Sequence, residues 1–199
     1  MGGIFCEVKN MDAVTQFDMN ILHAIHEKLS CGFMDFVMPK VTMFAEYGIF
    51  WILVAVIMLI IRKYRRCGAA LCVTMLSSLL VGNVLLKHVV ARARPCWLEP
   101  DYLSMLVAVP KDFSFPSGHS MISFTAAVVI FHYNKKLGIP ALCLAALIAF
   151  SRLYLFVHFP TDVLAGSVIG VLLGIVSFVI TDKAADKIRK KRELKKTAD

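Results

Sequence analysis

The chain has 199 residues, 58% of them hydrophobic and 18% charged, with a mean hydropathy of +0.71. An ordinary soluble domain, about 45–50% apolar, is excluded by that balance, and the length suits one domain spanning 1–199. The net charge of +8 does not indicate a nucleic-acid partner, because the basic residues sit beside apolar runs and in the C-terminal tail, where a membrane surface accounts for them.

Met1 to Asp18 carries Glu7, Asp12 and Asp18 and no apolar stretch, so a cleavable signal peptide is not expected. Phe17, Ile21, Leu22, Ile25 and Leu29 then recur at helical spacing. They predict an amphipathic helix lying in the membrane interface within a region 1–40. Gly32 and Pro39 interrupt it. Five apolar segments follow, each near the ~20 residues that a spanning helix needs. They are Val41–Ile61, Cys67–Leu86, Ser117–Tyr133, Leu137–Phe156 and Val163–Thr181. Backbone groups in hydrocarbon must bond within their own segment, so helices are expected. The fold class is therefore all-α: a polytopic bundle of five transmembrane helices over 41–181, with a sixth, re-entrant segment at 33–44 as the alternative. The basic tail 182–199 is expected to prolong the last helix along the anionic leaflet. The six cysteines show no C-x-x-C pair or Cys/His ligand spacing, so no metal site is expected.

Fourteen of the 22 Lys and Arg fall in three regions: Arg62–Arg66, Lys135–Lys136 and the tail after Thr181. Alternation across five spans puts all three on one side, the cytoplasmic one by the positive-inside rule. The other side receives Lys87, Arg92, Arg94, Lys111 and Arg152. Charges at the ends of membrane spans are costly and call for a function.

Three stretches carry the candidate chemistry. Ser117 is a good N-cap for the helix beginning at Gly118, whose free N–H groups could hold phosphate oxygens. Lys87 and Arg94 are seven residues apart and would share a face of a continuous helix, one that Arg94-Pro95 would end. Arg92, between them, is read as a snorkelling interface residue. Arg152 adds a third cation. His158, with Asp162 four residues on, fits a nucleophile whose carboxylate partner fixes its tautomer. His119 could supply the proton that a leaving oxygen needs. His23, His26, His88 and His132 are assigned structural roles. The loop Cys96–Phe115, with Trp97, Leu98, Tyr102 and Leu103, is expected to form part of a lipid entrance.

Lys87-x6-Arg94-Pro95, Pro116-Ser117-Gly118-His119 and Ser151-Arg152-x5-His158-x3-Asp162 together resemble the three signature motifs of the type 2 phosphatidic acid phosphatase superfamily. The resemblance covers Lys87 to Asp162. It implies a cofactor-free, metal-independent phosphatase of the cell membrane with a phosphohistidine intermediate. His158 would be the nucleophile, Asp162 its partner and His119 the acid/base. Lys87, Arg94, Arg152 and the Ser117–Gly118 amides would bind phosphate. The small size looks like that of bacterial members acting at the extracytoplasmic face on membrane lipid phosphates. Undecaprenyl pyrophosphate is the first expectation, phosphatidylglycerol phosphate or phosphatidic acid the second. A non-catalytic lipid transporter on the same scaffold is the alternative of another class.

Overall fold

A computed structural model describes residues 12–196, so the reading of the first residues lies outside it. Every regular element among the described residues is helical. The helices are α1 (Ala13–Leu29), α2 (Gly32–Met43), α3 (Ile49–Ile60), α4 (Arg65–Ser78), α5 (Pro95–Leu98), α6 (Gly118–Tyr133), α7 (Lys135–Tyr154) and α8 (Pro160–Lys196). A π-helical stretch, Leu79–Leu86, and a last turn, Lys87–Val90, prolong α4.

Among the described residues three helical runs are long and apolar enough to cross a membrane: Arg62–Leu98, Lys135–Tyr154 and Pro160–Leu194. Leu164, Val168, Leu172, Val176 and Ile180 stay exposed along α8, as do Ile52, Leu53, Val56 and Ile57 on α3. Apolar surface of this extent marks a lipid-facing exterior. Helix α8 has 37 residues, ~55 Å at 1.5 Å per residue. It outruns a ~30 Å hydrocarbon core, and its basic end continues as helix in agreement with the sequence.

The first expected span is not one helix. Val41–Ile61 breaks between α2 and α3 at a 3₁₀ turn, Glu46–Gly48. Gly48 has φ +70° and a Cβ there would lie 2.7 Å from Ile122 Cδ1, so a residue with a side chain would be both strained and crowded. Hydropathy alone does not register such a break. Helix α3 is thus 12 residues long and Glu46 lies outside it.

Helix α1 forms where expected, capped by Asp12, but it turns a different face inward. Asp18, Met19, Leu22 and His26 are buried, whereas Phe17 and Leu29 are exposed. Met19 and Leu22 join Tyr154, Phe156, Val157 and Phe159 in one core cluster. A second cluster, around Trp51, Leu71, Val129, Ile130 and Ile148, holds α3, α4, α6 and α7 together.

Helix α6 is central, packed against α4, α7 and α8. Its contact with α8 is backbone to backbone. A Cβ at Gly166 would lie 2.6 Å from Ser117 O, at Gly170 2.5 Å from Met121 O, and at Gly174 3.0 Å from Thr125 O. Glycines four apart share a helix face, and small residues there let helices close on each other where apolar burial gives no drive. This crossing sets the start of α6 against the start of α8, where Ser117 N donates to Asp162 O at 3.1 Å. Gly170→Val should therefore lower the thermal unfolding temperature of the detergent-solubilised protein, by an overpacking cost of about 1–3 kcal/mol. Gly32→Ala, which meets nothing within 4 Å, should leave the unfolding temperature unchanged.

Candidate functional site

Two turns bring the motif residues together. After Val90 the chain takes a left-handed step at Ala91, φ +47°, so the helix ends four residues before Arg94-Pro95. Lys87 and Arg94 thus do not share a helical face as the spacing suggested. They converge on opposite oxygens of one carboxylate, Asp112: Arg94 Nη2 donates to Oδ1 at 2.6 Å and Lys87 Nζ donates to Oδ2. After α7, Phe156 is left-handed at φ +57°, a costly conformation for a bulky residue. It turns the chain so that His158, 2% exposed, faces Arg94.

The geometry fixes the ring of His158. Arg94 Nη1 donates to Nε2 at 3.1 Å, and a guanidinium can only donate, so Nε2 carries the lone pair and Nδ1 the proton. On the Nδ1 side, Asp162 Oδ2 is 3.8 Å away. Ser114 Oγ stands between them, 3.4 Å from Nδ1 and donating to Asp162 Oδ2 at 2.5 Å. The expected carboxylate–histidine pair is therefore linked through a serine. Burial first, then the positive charges of Arg94 and Arg152, hold the His158 pKa well below its ordinary value. The ring is neutral near pH 7.

Asp162 is fully buried and is itself tightly held. Phe159 N–H donates to Oδ2 at 3.0 Å and Arg92 Nη1 to Oδ1 at 2.7 Å. Arg92 also donates through Nη2 to the buried Asp18 of α1, at 2.8 Å, and lies over the Phe159 ring. Reading Arg92 as a snorkelling residue is thus overturned. It is a bridge between two buried carboxylates, and both would lack a counter-charge without it. Its spacing from Lys87 and Arg94 gave no sign of this, because the partner Asp18 lies on another helix. Ser114 was missed likewise: a lone serine in a loop carries no pattern.

His119 and Arg152 complete the wall. Ser117 caps α6 through Ser120 N as predicted, and His119 follows on the first turn. Glu46 Oε2 is 3.5 Å from His119 Nε2, an ion-pair distance without hydrogen-bond geometry. His119 Nε2 is buried and has no hydrogen-bond partner. Arg152, 5% exposed, donates from Nη1 to Thr42 Oγ1 at 2.6 Å, and its Nε is likewise unpartnered. These side chains, Lys87, Arg94, His158 and Gly118 line one cavity of about 1070 Å³. One side of its wall is apolar, with Ile52, Val56, Met75, Leu76 and Leu79 from α3 and α4 and its extension. Among the described residues no group of three or more His, Cys, Asp or Glu is arranged to hold a metal ion.

The expected lipid entrance needs correcting in part. Leu98 and Leu103 pack against the cluster under α1, Tyr102 lies against the Phe156 ring, and Trp97 Nε1 donates to Pro110 O. The part of the loop that borders the cavity is Val107–Asp112. The four histidines given structural roles have partners away from the cavity: His23 bonds to Glu99, His26 to Tyr154 O at 2.6 Å, His88 to Val84 O and His132 to Asp182.

Residues 68–186 match the PAP2 superfamily. The chain belongs to the PAP2 superfamily. PAP2 relatives include the undecaprenyl-diphosphatase of Sulfolobus acidocaldarius, 36% identical over 132 residues, which are 65% of this chain and 63% of that protein. Phosphatidylglycerophosphatase B of Bacillus subtilis is 34% identical over 122 residues, 56% of this chain and 55% of that one. The chain thus spans less than two thirds of the length of these curated relatives. The crystal structure of a transmembrane PAP2 type phosphatidylglycerolphosphate phosphatase from Bacillus subtilis superposes with a TM-score of 0.70 at 28% identity. That match covers 90% of this chain and 92% of the other.

Two stability effects follow. Arg92→Ala strands Asp18 and Asp162 as buried, unpaired charges and should cost about 3–5 kcal/mol, read as a fall in unfolding temperature. His158 binds its proton more readily when unfolded, so stability should fall as pH drops below about 6.5, the unfolded value. His158→Gln should flatten that slope. Asp112, held down to about 2, contributes its own loss only below about pH 4.

Proposed function

We propose that this protein is a metal-independent lipid phosphatase that removes phosphate from a membrane lipid through a phosphohistidine intermediate. One observation carries the proposal. Two buried groups suited to an anion, Arg152 Nε and His119 Nε2, have no hydrogen-bond partner in a cavity that also holds Lys87, Arg94 and the His158 ring. Buried polar atoms are almost always satisfied, so such orphans point to a ligand. A tetrahedral phosphate with several oxygens can serve all of them. The apolar side of the cavity suits the lipid chain.

The residues divide the chemistry as follows. His158 Nε2, whose lone pair turns from Arg94 Nη1 to the substrate, attacks phosphorus while the bond to the leaving oxygen breaks. The leaving oxygen takes its proton from His119, whose charged form the Glu46 carboxylate 3.5 Å away and a bound phosphate both favour. Positive charge appearing on the His158 ring is balanced through Ser114 by Asp162, whose position Arg92 fixes. Water then attacks the phosphorus of the N–P intermediate, giving its proton to His119, and the N–P electron pair returns to Nε2. Lys87, Arg94, Arg152 and the amide of Gly118 hold the equatorial oxygens; the Ser117 amide, expected to join them, is taken instead by Asp162 O at 3.1 Å.

Undecaprenyl pyrophosphate is the favoured substrate, in keeping with the name of the 36% identical relative. Phosphatidylglycerol phosphate is the second reading, favoured by the superposition over 90% of the chain; phosphatidic acid shares its chemistry. We further propose five crossings, with α3 and α6 the short ones, and an active site on the extracytoplasmic face. The charge distribution supports that orientation.

Wild-type protein should release phosphate in the presence of chelator, and His158→Ala should release none. Full turnover by the mutant, as expected of a lipid transporter's contaminant, or a strict Mg²⁺ requirement would overturn the mechanism. His119→Asn should slow both formation and hydrolysis of the acid-labile phosphoenzyme, read by rapid-quench phosphate release. A phosphate-release panel over the three lipids decides among them. Orientation is read by labelling in a cysteine-free background. Native Cys96 is buried, so the probes are Asp101→Cys and Arg189→Cys. Only the first should react from outside intact cells.

A further inference from the structure

Arg94 has no N–H left over. Its Nε donates to Asp112 O at 2.6 Å and its Nη1 to Val157 O at 2.7 Å and His158 Nε2 at 3.1 Å. Its Nη2 donates to Asp112 Oδ1 at 2.6 Å and Phe113 O at 3.2 Å. A guanidinium has five N–H groups, and all five are engaged. The ammonium of Lys87 is paired with the second oxygen of the same Asp112 carboxylate. An anion that binds between Lys87 and Arg94 must therefore displace an acceptor. Three of the five are backbone carbonyls and one is the buried His158 ring. The fifth, the Asp112 carboxylate, sits on a side chain 54% exposed, whereas Arg94 is 2% exposed. It is the acceptor that can leave by side-chain rotation alone.

We propose that Asp112 is an internal competing anion that sets an affinity threshold, its carboxylate occupying the cation cradle until a more highly charged ligand displaces it. The proposal rests on the reading of this cavity as a phosphate site. Its arithmetic is that of a binding-competent state only fractionally populated: apparent affinity is intrinsic affinity reduced by the fraction of molecules in which Asp112 has swung out. The reduction is equal for every anion, so it sets a threshold and not a ratio. A phosphate monoester or a diphosphate brings about two or more negative charges near neutral pH and at least three terminal oxygens. A phosphodiester headgroup brings a single charge and two terminal oxygens. A site opening onto a bilayer faces diester lipids at high local concentration. The resident carboxylate keeps them out, while a dianion still gains enough from Lys87, Arg94 and Arg152 to enter. Asp112 remains charged throughout the useful pH range, since Lys87 and Arg94 outweigh its partial burial, so acidification does not open the cradle.

The test is calorimetric titration of the purified full-length protein in detergent with inorganic phosphate and, separately, with dioctanoyl phosphatidylglycerol. Asp112→Asn keeps the side chain's size and removes its charge. It should bind both ligands more tightly by a common factor of about tenfold, ~1.4 kcal/mol. Asp112→Ser should do the same, and Asp112→Glu should stay near wild type. Unchanged or weaker phosphate binding by both neutral variants would overturn the proposal and make Asp112 merely a support for Lys87 and Arg94. If that happens while the wild type still releases phosphate from lipid, the phosphatase reading stands. If neither wild type nor the neutral variants bind phosphate, the phosphate-site reading fails with it.

Discussion

A buried carboxylate at the start of α8 is the constraint on which the site depends. Asp162 is fully buried, and an uncompensated charge there would cost several kcal/mol. Compensation comes from Arg92 in the turn after α4, Ser114 in the loop before α6 and the Phe159 N–H, and Arg92 in turn ties in the second buried carboxylate, Asp18 of α1. Satisfying one charge thereby fixes four segments. His158, four residues before Asp162, inherits its position from this arrangement and is held on its other side by Arg94.

The network explains why a membrane protein tolerates so many charges at one end of its bundle. Each buried cation meets a particular acceptor. Arg92 has two carboxylates, Arg94 has carbonyls and Asp112, and Arg152 has Thr42. The pairs are not arranged for stability alone, because apolar replacements would serve that purpose as well. What they provide is direction. The guanidinium of Arg94 forces the lone pair of His158 onto Nε2, and the Ser114–Asp162 link receives the proton side. Preorganised charge of this kind acts most strongly where water is scarce.

How much of this was legible in the sequence differs by residue, for physical reasons. The helical class and the start of α6 follow from apolar run length and from the Ser117 cap, both local signals. The convergence of Lys87, Arg94, Ser117, His119, Arg152, His158 and Asp162 followed from motif spacing joined to the sidedness of the spans. Arg92, Ser114 and Asp112 were not legible. Their roles arise from partners on other elements, and nothing periodic marks them. The break at Gly48 escaped for a related reason: averaged hydropathy is blind to one positive φ. The glycines at 166, 170 and 174 were in plain view at four-residue spacing, but only the partner backbone of α6 gives that spacing its meaning.

The glycine crossing and the charge network are two halves of one device. Close approach of α6 and α8 brings Ser117 N within 3.1 Å of Asp162 O, so the N-terminus of α6, with its free amides, lies beside the start of α8. Without the glycines the helices would stand apart by a side chain, and the two histidines would face different volumes. With them, His119 on the first turn of α6 and His158 just before α8 open into a single cavity. Packing in the membrane interior, where small residues replace the hydrophobic drive, thus decides whether the polar residues at its edge can act together.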